Sequence, residues 1–189
     1  MIPWLARSIV LNRAGSFQRA TEAALKAVEH APTEPFALSM AVHCISRSRG
    51  DPSAIAWFIE RNFDVDAFSD DASRAGSVAS LRANIAWSAL KSGRIDMAEQ
   101  VDRLSALALA AAPQAPAMEG TRGAWLVEHG SAAEGVPLLT RAARLTADPL
   151  DKAGFCHFLA KAMRLQGNEE RAIAFDQVRL LSLSTGGSV

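Results

Sequence analysis

The sequence contains no tyrosine, and its 189 residues include only two cysteines, Cys44 and Cys156. Two thiols are too few for a secreted domain that supplements a small core with several disulfides. An excess of one charge is lacking too: 20 Lys and Arg balance 20 Asp and Glu. Without a basic surplus the chain has no overall pull on nucleic acid or an anionic membrane, so neither is expected as a partner. Long apolar runs are also missing. The longest stretch of small apolar residues, Leu104 to Ala112 with Ser105 inside it, is about half of what a bilayer requires. At the N-terminus, MIPWLARSIVLNRAG, Arg7 and Arg13 cut the apolar stretches, so the continuous apolar core of a signal peptide is not formed. A cytoplasmic protein is the expectation.

What is present favours helices. Alanine, the best helix former, makes up about a fifth of the chain, while tyrosine, which prefers strands, is absent. Arginine outnumbers lysine four to one. Together with the alanine content this bias fits a GC-rich bacterial genome.

A repeat organises these residues. Glycines close five similar phrases: LNRAG at 11–15, ISRSRG at 45–50, ALKSG at 89–93, LVEHG at 126–130 and MRLQG at 163–167. Gly15, Gly50, Gly93, Gly130 and Gly167 are separated by 35, 43, 37 and 37 residues. An apolar, helix-like segment lies before each glycine and a second one after it. Five residues past the glycine stand Ala20, Ala98, Gly135 and Ala172, with Ile55 in the second block. Seven residues further on, Ala27, Ser105 and Ala142 continue the small-residue pattern, which Asn62 and Arg179 break. Glycine takes the left-handed conformation that ends a helix and turns the chain. Small residues let the second helix approach its neighbours. A single hairpin cannot bury its apolar face, so about five hairpins are expected to stack around one core.

The pattern resembles the tetratricopeptide repeat. Trp4, Ala20, Ala27 and Pro32 fall at that family's signature spacings, with Gly15 and Phe17 in the turn. Arg7, Ser8, Leu11 and Ala24 depart from the residues the family usually has there. The fourth block matches through Gly123, Leu126, Gly130, Leu139 and Ala142, and the fifth through Leu159, Ala160, Gly167 and Ala172. The resemblance implies an all-α, right-handed α-solenoid of antiparallel helix-turn-helix repeats. The expected repeats are 1–34, 35–68, 70–113, 116–150 and 153–183, with a flexible tail at 184–189. The long second interval, FDVDAFSDDASRAGSVAS at 63–80, holds either an inserted loop or an early start to the next helix. The early start, near Asp70 or Asp71, is preferred because Ser69, Asp70 and Asp71 suit a helix N-terminus.

Few residues suggest chemistry. Asp64, Asp66, Asp70 and Asp71 crowd one segment, but Phe68, Ser69 and Ala75 stand where a calcium loop needs a ligand, a glycine and a glutamate. His43-Cys44 and Cys156-His157 offer the donor types of a zinc site. They fall on first helices three repeats apart, which at about 8–10 Å per packed helix sets them about 25–30 Å from each other. Buried structural cysteines are therefore expected. No G-x-S-x-G, H-E-x-x-H, G-x-x-x-x-G-K or G-x-G-x-x-G occurs. His30 and His129 fall near helix ends, where imidazole complements the dipole. Trp4, Trp57 and Trp125 read as packing residues, and Trp87 as the one tryptophan that could face a groove. No enzyme activity, cofactor or metal is expected.

The charges point to binding. In the resembled family the first helix of each pair lines the concave groove. Here the first helices carry Arg7, Arg13, Arg47, Arg49, Arg82, Lys91, Arg122, Lys161 and Arg164 against Glu119 and Glu128, whereas the second helices are mildly acidic. One sign gathered in a concave surface attracts the other. The expected ligand is a protein or an acidic or C-terminal peptide segment, with Arg13, Arg47, Asn84, Trp87, Lys91, Lys161 and Arg164 as contacts. Helix C-termini also favour cations locally, an equally simple reason for several of these arginines. The clamp by which some relatives hold acidic chaperone tails uses lysines and asparagines on three consecutive first helices. Ser39, His43, Asn84, Ala117 and Thr121 stand there, and only the asparagine matches. The expected role is a non-catalytic scaffold or adaptor, including the regulatory module of a larger bacterial protein. The alternatives are an accessory repeat domain of an enzyme such as a glycosyltransferase, and a receptor closing on a small signal molecule. Leu180, Leu181 and Leu183 form an uncapped apolar end that would pack on another copy or on further chain.

Overall fold

A computed structural model describes residues 1–68 and 72–186. It holds ten α-helices: α1 (Ile2–Arg13), α2 (Phe17–His30), α3 (Pro35–Arg49), α4 (Asp51–Glu60), α5 (Ala75–Lys91), α6 (Ala98–Ala111), α7 (Pro116–Glu128), α8 (Ala132–Leu145), α9 (Pro149–Leu165) and α10 (Glu169–Gly186). Among the described residues there is no strand. The chain divides into two compact units, Met1–Ala111 with three hairpins and Ala112–Val189 with two.

Local chemistry sets the helix ends. Proline occupies the first or second position of α1, α3, α4, α7 and α9, where its missing N–H costs nothing and its fixed φ suits the helix. The Asp148 carboxylate caps α9, accepting from the N–H groups of Leu150 (2.8 Å) and Asp151 (3.2 Å). Between the helices of each hairpin the five repeat glycines, and among the described glycines only these, have positive φ: +72°, +89°, +64°, +87° and +72° in chain order. A side chain in that conformation would crowd its own backbone.

The small residues do what their spacing implies. In unit two, Gly123 of α7 and Gly135 of α8 lie against each other. A Cβ on Gly135 would come within 2.5 Å of the Gly123 carbonyl oxygen. The corresponding pairs, Ser8 with Ala20 and Ala160 with Ala172, are fully buried. The second hairpin has His43 and Ile55 at these positions and the shortest of the ten helices, α4. Asn62, which breaks the small-residue pattern, lies beyond the end of α4 in the left-handed region, with φ +48°.

Each unit has its own core. In unit one it is built around Leu38, Ile45, Ile55, Leu81, Ile85 and Leu104, and in unit two around Val127, Leu139, Phe155, Phe158 and Leu159. The expected helix start at Asp70 or Asp71 lies outside the described residues. The chain enters α5 through a 3-10 turn at Ala72–Arg74, and the α-helix begins at Ala75. Residues 73–76 are exposed and the buried stripe of α5 starts at Val78, so an earlier start would gain propensity without packing. At the other end α10 runs through Gly186, past Leu183.

Candidate functional site

In unit one the first helices α1, α3 and α5 pack in succession, and side-chain contacts fix their relative direction. At the N-terminal end Arg74 lies 3.9 Å from Glu34. Midway, the Asn84 amide donates to the Ser39 carbonyl (3.2 Å) and Oγ (3.0 Å). At the C-terminal end Lys91 Nζ is 2.8 Å from Asp51, which also accepts from Ser46 (2.6 Å). These contacts make α3 and α5 parallel. The Thr21 hydroxyl, near the start of α2, donates to the Cys44 carbonyl (2.9 Å) and meets Ser48 Oγ (2.8 Å), both in the second half of α3. Helix α2 is therefore antiparallel to α3, and α1 parallel to it. The Asn12 amide completes the set by donating to His43 Nε2 at 3.2 Å.

The consequence is a polarised lane. Arg13, Arg47 and Lys91 each stand in the last turn of their helix, so the three cations gather at one edge of three parallel helices. Ile9, Met40, His43 and Trp87 are half-buried along the same helices. Lys91 lies over the Trp87 ring, 5.8 Å from its centroid. Asn84 and Lys91 thus serve as struts between α5 and its neighbours. Arg82 is buried and adds nothing to the exposed charge. The counter-ion Asp51 and the half-buried Ile9, Met40 and His43 belong to the lane although the charge pattern did not single them out.

In unit two, His157, Lys161 and Arg164 occupy one face of α9 at helical spacing. Lys161 pairs with Glu128 of α7 at 2.5 Å. Arg164 pairs with Asp176 (2.5 Å) and Glu169 (3.4 Å), and Arg179 also reaches Asp176 (3.3 Å). The Arg164 hydrogen bond, more than burial opposes it, holds the Asp176 carboxyl below its ordinary value. Partial burial, then Arg179, pushes the His157 imidazole down. The two basic candidates of this unit are therefore already partnered by carboxylates.

The other singled-out residues have contacts of their own within the chain. Cys44 and Cys156 are free and buried, and burial pushes the Cys44 thiol up to about 12. Trp125 is buried and stacks on His129, ring centroids 3.3 Å apart, while His129 Nδ1 lies 3.0 Å from the Trp125 carbonyl. Trp4 lies under Lys26 (4.6 Å) and Arg7 (5.6 Å), and Trp57 under Arg61 (4.9 Å). Among the described residues no three His, Cys, Asp or Glu side chains come together as metal ligands, and no helix is long and apolar enough to cross a membrane.

Comparison with solved structures finds the crystal structure of MamA, a tetratricopeptide-like helical-repeat protein, at a TM-score of 0.51. The match covers 96% of this chain and 97% of that one, at 11% sequence identity. The fold is a tetratricopeptide-like helical repeat. At that identity the likeness speaks for the fold alone. No family model and no curated protein matches the chain.

Proposed function

We propose that the protein is a non-catalytic scaffold that binds an extended acidic segment of a partner protein along α1, α3 and α5. The observation that carries this reading is the parallel arrangement of those helices, which brings Arg13, Arg47 and Lys91 to one edge beside half-buried Ile9, Met40, His43 and Trp87. Acidic residues of the ligand, or its C-terminal carboxylate, would meet the cations, and its apolar side chains would lie on the Trp87 and Met40 surface. Arg13, Arg47 and Trp87 act as contacts, while Asn84 and Lys91 hold the helices in register. In unit two, Lys161 and Arg164 offer a second basic face, in which Glu128 and Asp176 pair with them.

A direct test uses two fluorescent peptides of equal length, one alternating glutamate with leucine and the other lysine with leucine. Anisotropy should report binding of the acidic peptide only, weakening as salt is raised, since exposed charges are screened within about 10 Å at 0.1 M. Equal binding of both peptides, or none of either, would remove the support for a basic lane.

A further inference from the structure

We propose, resting on the acidic-segment reading above, that the Asp51 carboxylate occupies a seat built for a carboxylate of that segment. The α5 end of the lane is then closed by a side chain of the protein itself and opens by exchange of one carboxylate for another. Gly50, with φ +89° and ψ 160°, ends α3 and starts α4 at once, so Asp51 is the first residue of α4. The residues that follow the other four repeat glycines are Ser16, Arg94, Ser131 and Asn168, and the acid is therefore particular to the second hairpin. Its two oxygens serve two different helices. Oδ1 accepts from Ser46 Oγ of α3 at 2.6 Å, and Oδ2 lies 2.8 Å from Lys91 Nζ of α5. A hydroxyl on one oxygen and an ammonium on the other together recognise a carboxylate.

The surroundings favour exchange over permanent pairing. The Asp51 side chain is 12% exposed and that of Lys91 40%, so the acid is largely covered while the cation keeps a side open to solvent. An ion pair with so exposed a partner contributes little on its own. Nor does the register of the lane depend on it, because the Asn84 amide holds α5 to the Ser39 carbonyl and Oγ of α3. Lys91 also lies over the half-buried Trp87 ring, 5.8 Å from its centroid. A carboxylate arriving at Lys91 thus brings its neighbouring side chain onto Trp87, and an acidic residue next to an apolar one fits best. Asp51 makes the seat selective as well. A tethered carboxylate competes at an effective concentration of about millimolar or more, which a lone acid does not overcome and a segment with further contacts to Trp87 and Arg13 does.

The test is anisotropy of the glutamate–leucine peptide with the full chain, comparing wild type, Asp51→Asn, Glu60→Gln and the double variant Asp51→Asn/Lys91→Met. Asparagine still accepts from Ser46 but no longer holds the ammonium, so Asp51→Asn should bind about tenfold tighter or more, a gain that shrinks as salt is raised. Asp51→Ser, the residue type that follows Gly15 and Gly130, should give the same gain and replaces it if asparagine disturbs the fold, which circular dichroism reads. Glu60→Gln makes the same charge change at the other, exposed end of α4 and should move affinity by less than about twofold. Adding Lys91→Met should abolish the gain. If wild type binds and Asp51→Asn binds no tighter, the seat is overturned and the basic lane stands. A gain matched by Glu60→Gln, or kept without Lys91, reflects overall charge and overturns the seat as well. Binding by Asp51→Asn but not by wild type upholds the seat and overturns the lane as an open site, whereas binding by neither overturns both.

Discussion

Gly50 and Gly93 occupy the same place in their repeats but not the same conformation. Gly50 has φ +89° and ψ 160°, a region open essentially to glycine alone, whereas Gly93 has φ +64°, within reach of asparagine. Gly50→Asn should cost about 1–3 kcal/mol, and Gly93→Asn less than about 1 kcal/mol, read from urea unfolding followed by circular dichroism. Equal losses would contradict this difference. A second residue-level asymmetry involves Glu119 and Arg141, whose Nε donates to Oε1 at 2.8 Å. The Glu119 side chain is only 4% exposed and its Oε2 has no hydrogen-bond partner, while Arg141 is 46% exposed. Arg141→Ala leaves a buried carboxylate unpaired and should cost about 2–4 kcal/mol, whereas Glu119→Gln releases a cation that water already reaches and should cost less. The same denaturation measurement ranks them. The glycines were legible in the sequence because a left-handed turn is a local demand. The Glu119–Arg141 pair was not, since it depends on how two helices meet, and a count by helix took Glu119 for an exposed groove charge.

At the scale of elements, α9 and α10 share a charged seam whose strength depends on pH. Partial burial and Arg179 lower the His157 value in the folded protein, with Asp176 and Glu128 opposing and Lys161 adding to the shift. A base with a depressed folded value contributes stability that is fully present above its ordinary value near 6.5 and lost as pH falls through the folded one. Unit two should therefore melt at lower temperature as pH drops from neutral towards 5, and His157→Asn should flatten that slope. An unchanged slope in the variant would assign the effect to another group. Asp176, whose carboxyl is held down chiefly by Arg164, acts lower: its contribution is present above about 4 and lost as pH falls further. The ten helices follow from the repeat pattern, an apolar segment on either side of each of the five glycines. The start of α5 was less legible, because Ser69, Asp70 and Asp71 satisfy capping preferences while Ser73 to Gly76 are exposed and no packing there marks where the helix begins.

For the whole molecule, the contrast is between charge counted along the sequence and charge left available in space. The first helices are basic by composition, yet Lys91, Lys161 and Arg164 each lie against a carboxylate: Asp51, Glu128 and Asp176. Those acids come from other helices, so no reading of one helix at a time could subtract them. Arg13 and Arg47, in the last turns of α1 and α3, share the edge of the lane with Lys91. The decisive measurement is calorimetric titration of the acidic, leucine-bearing peptide into wild type and into the double variant Arg13→Glu/Arg47→Glu, with circular dichroism showing an unchanged helix content. The expected result is micromolar binding to wild type, about −8 kcal/mol, reduced at least tenfold in the variant. Undiminished binding to the double variant would contradict a function seated on α1, α3 and α5.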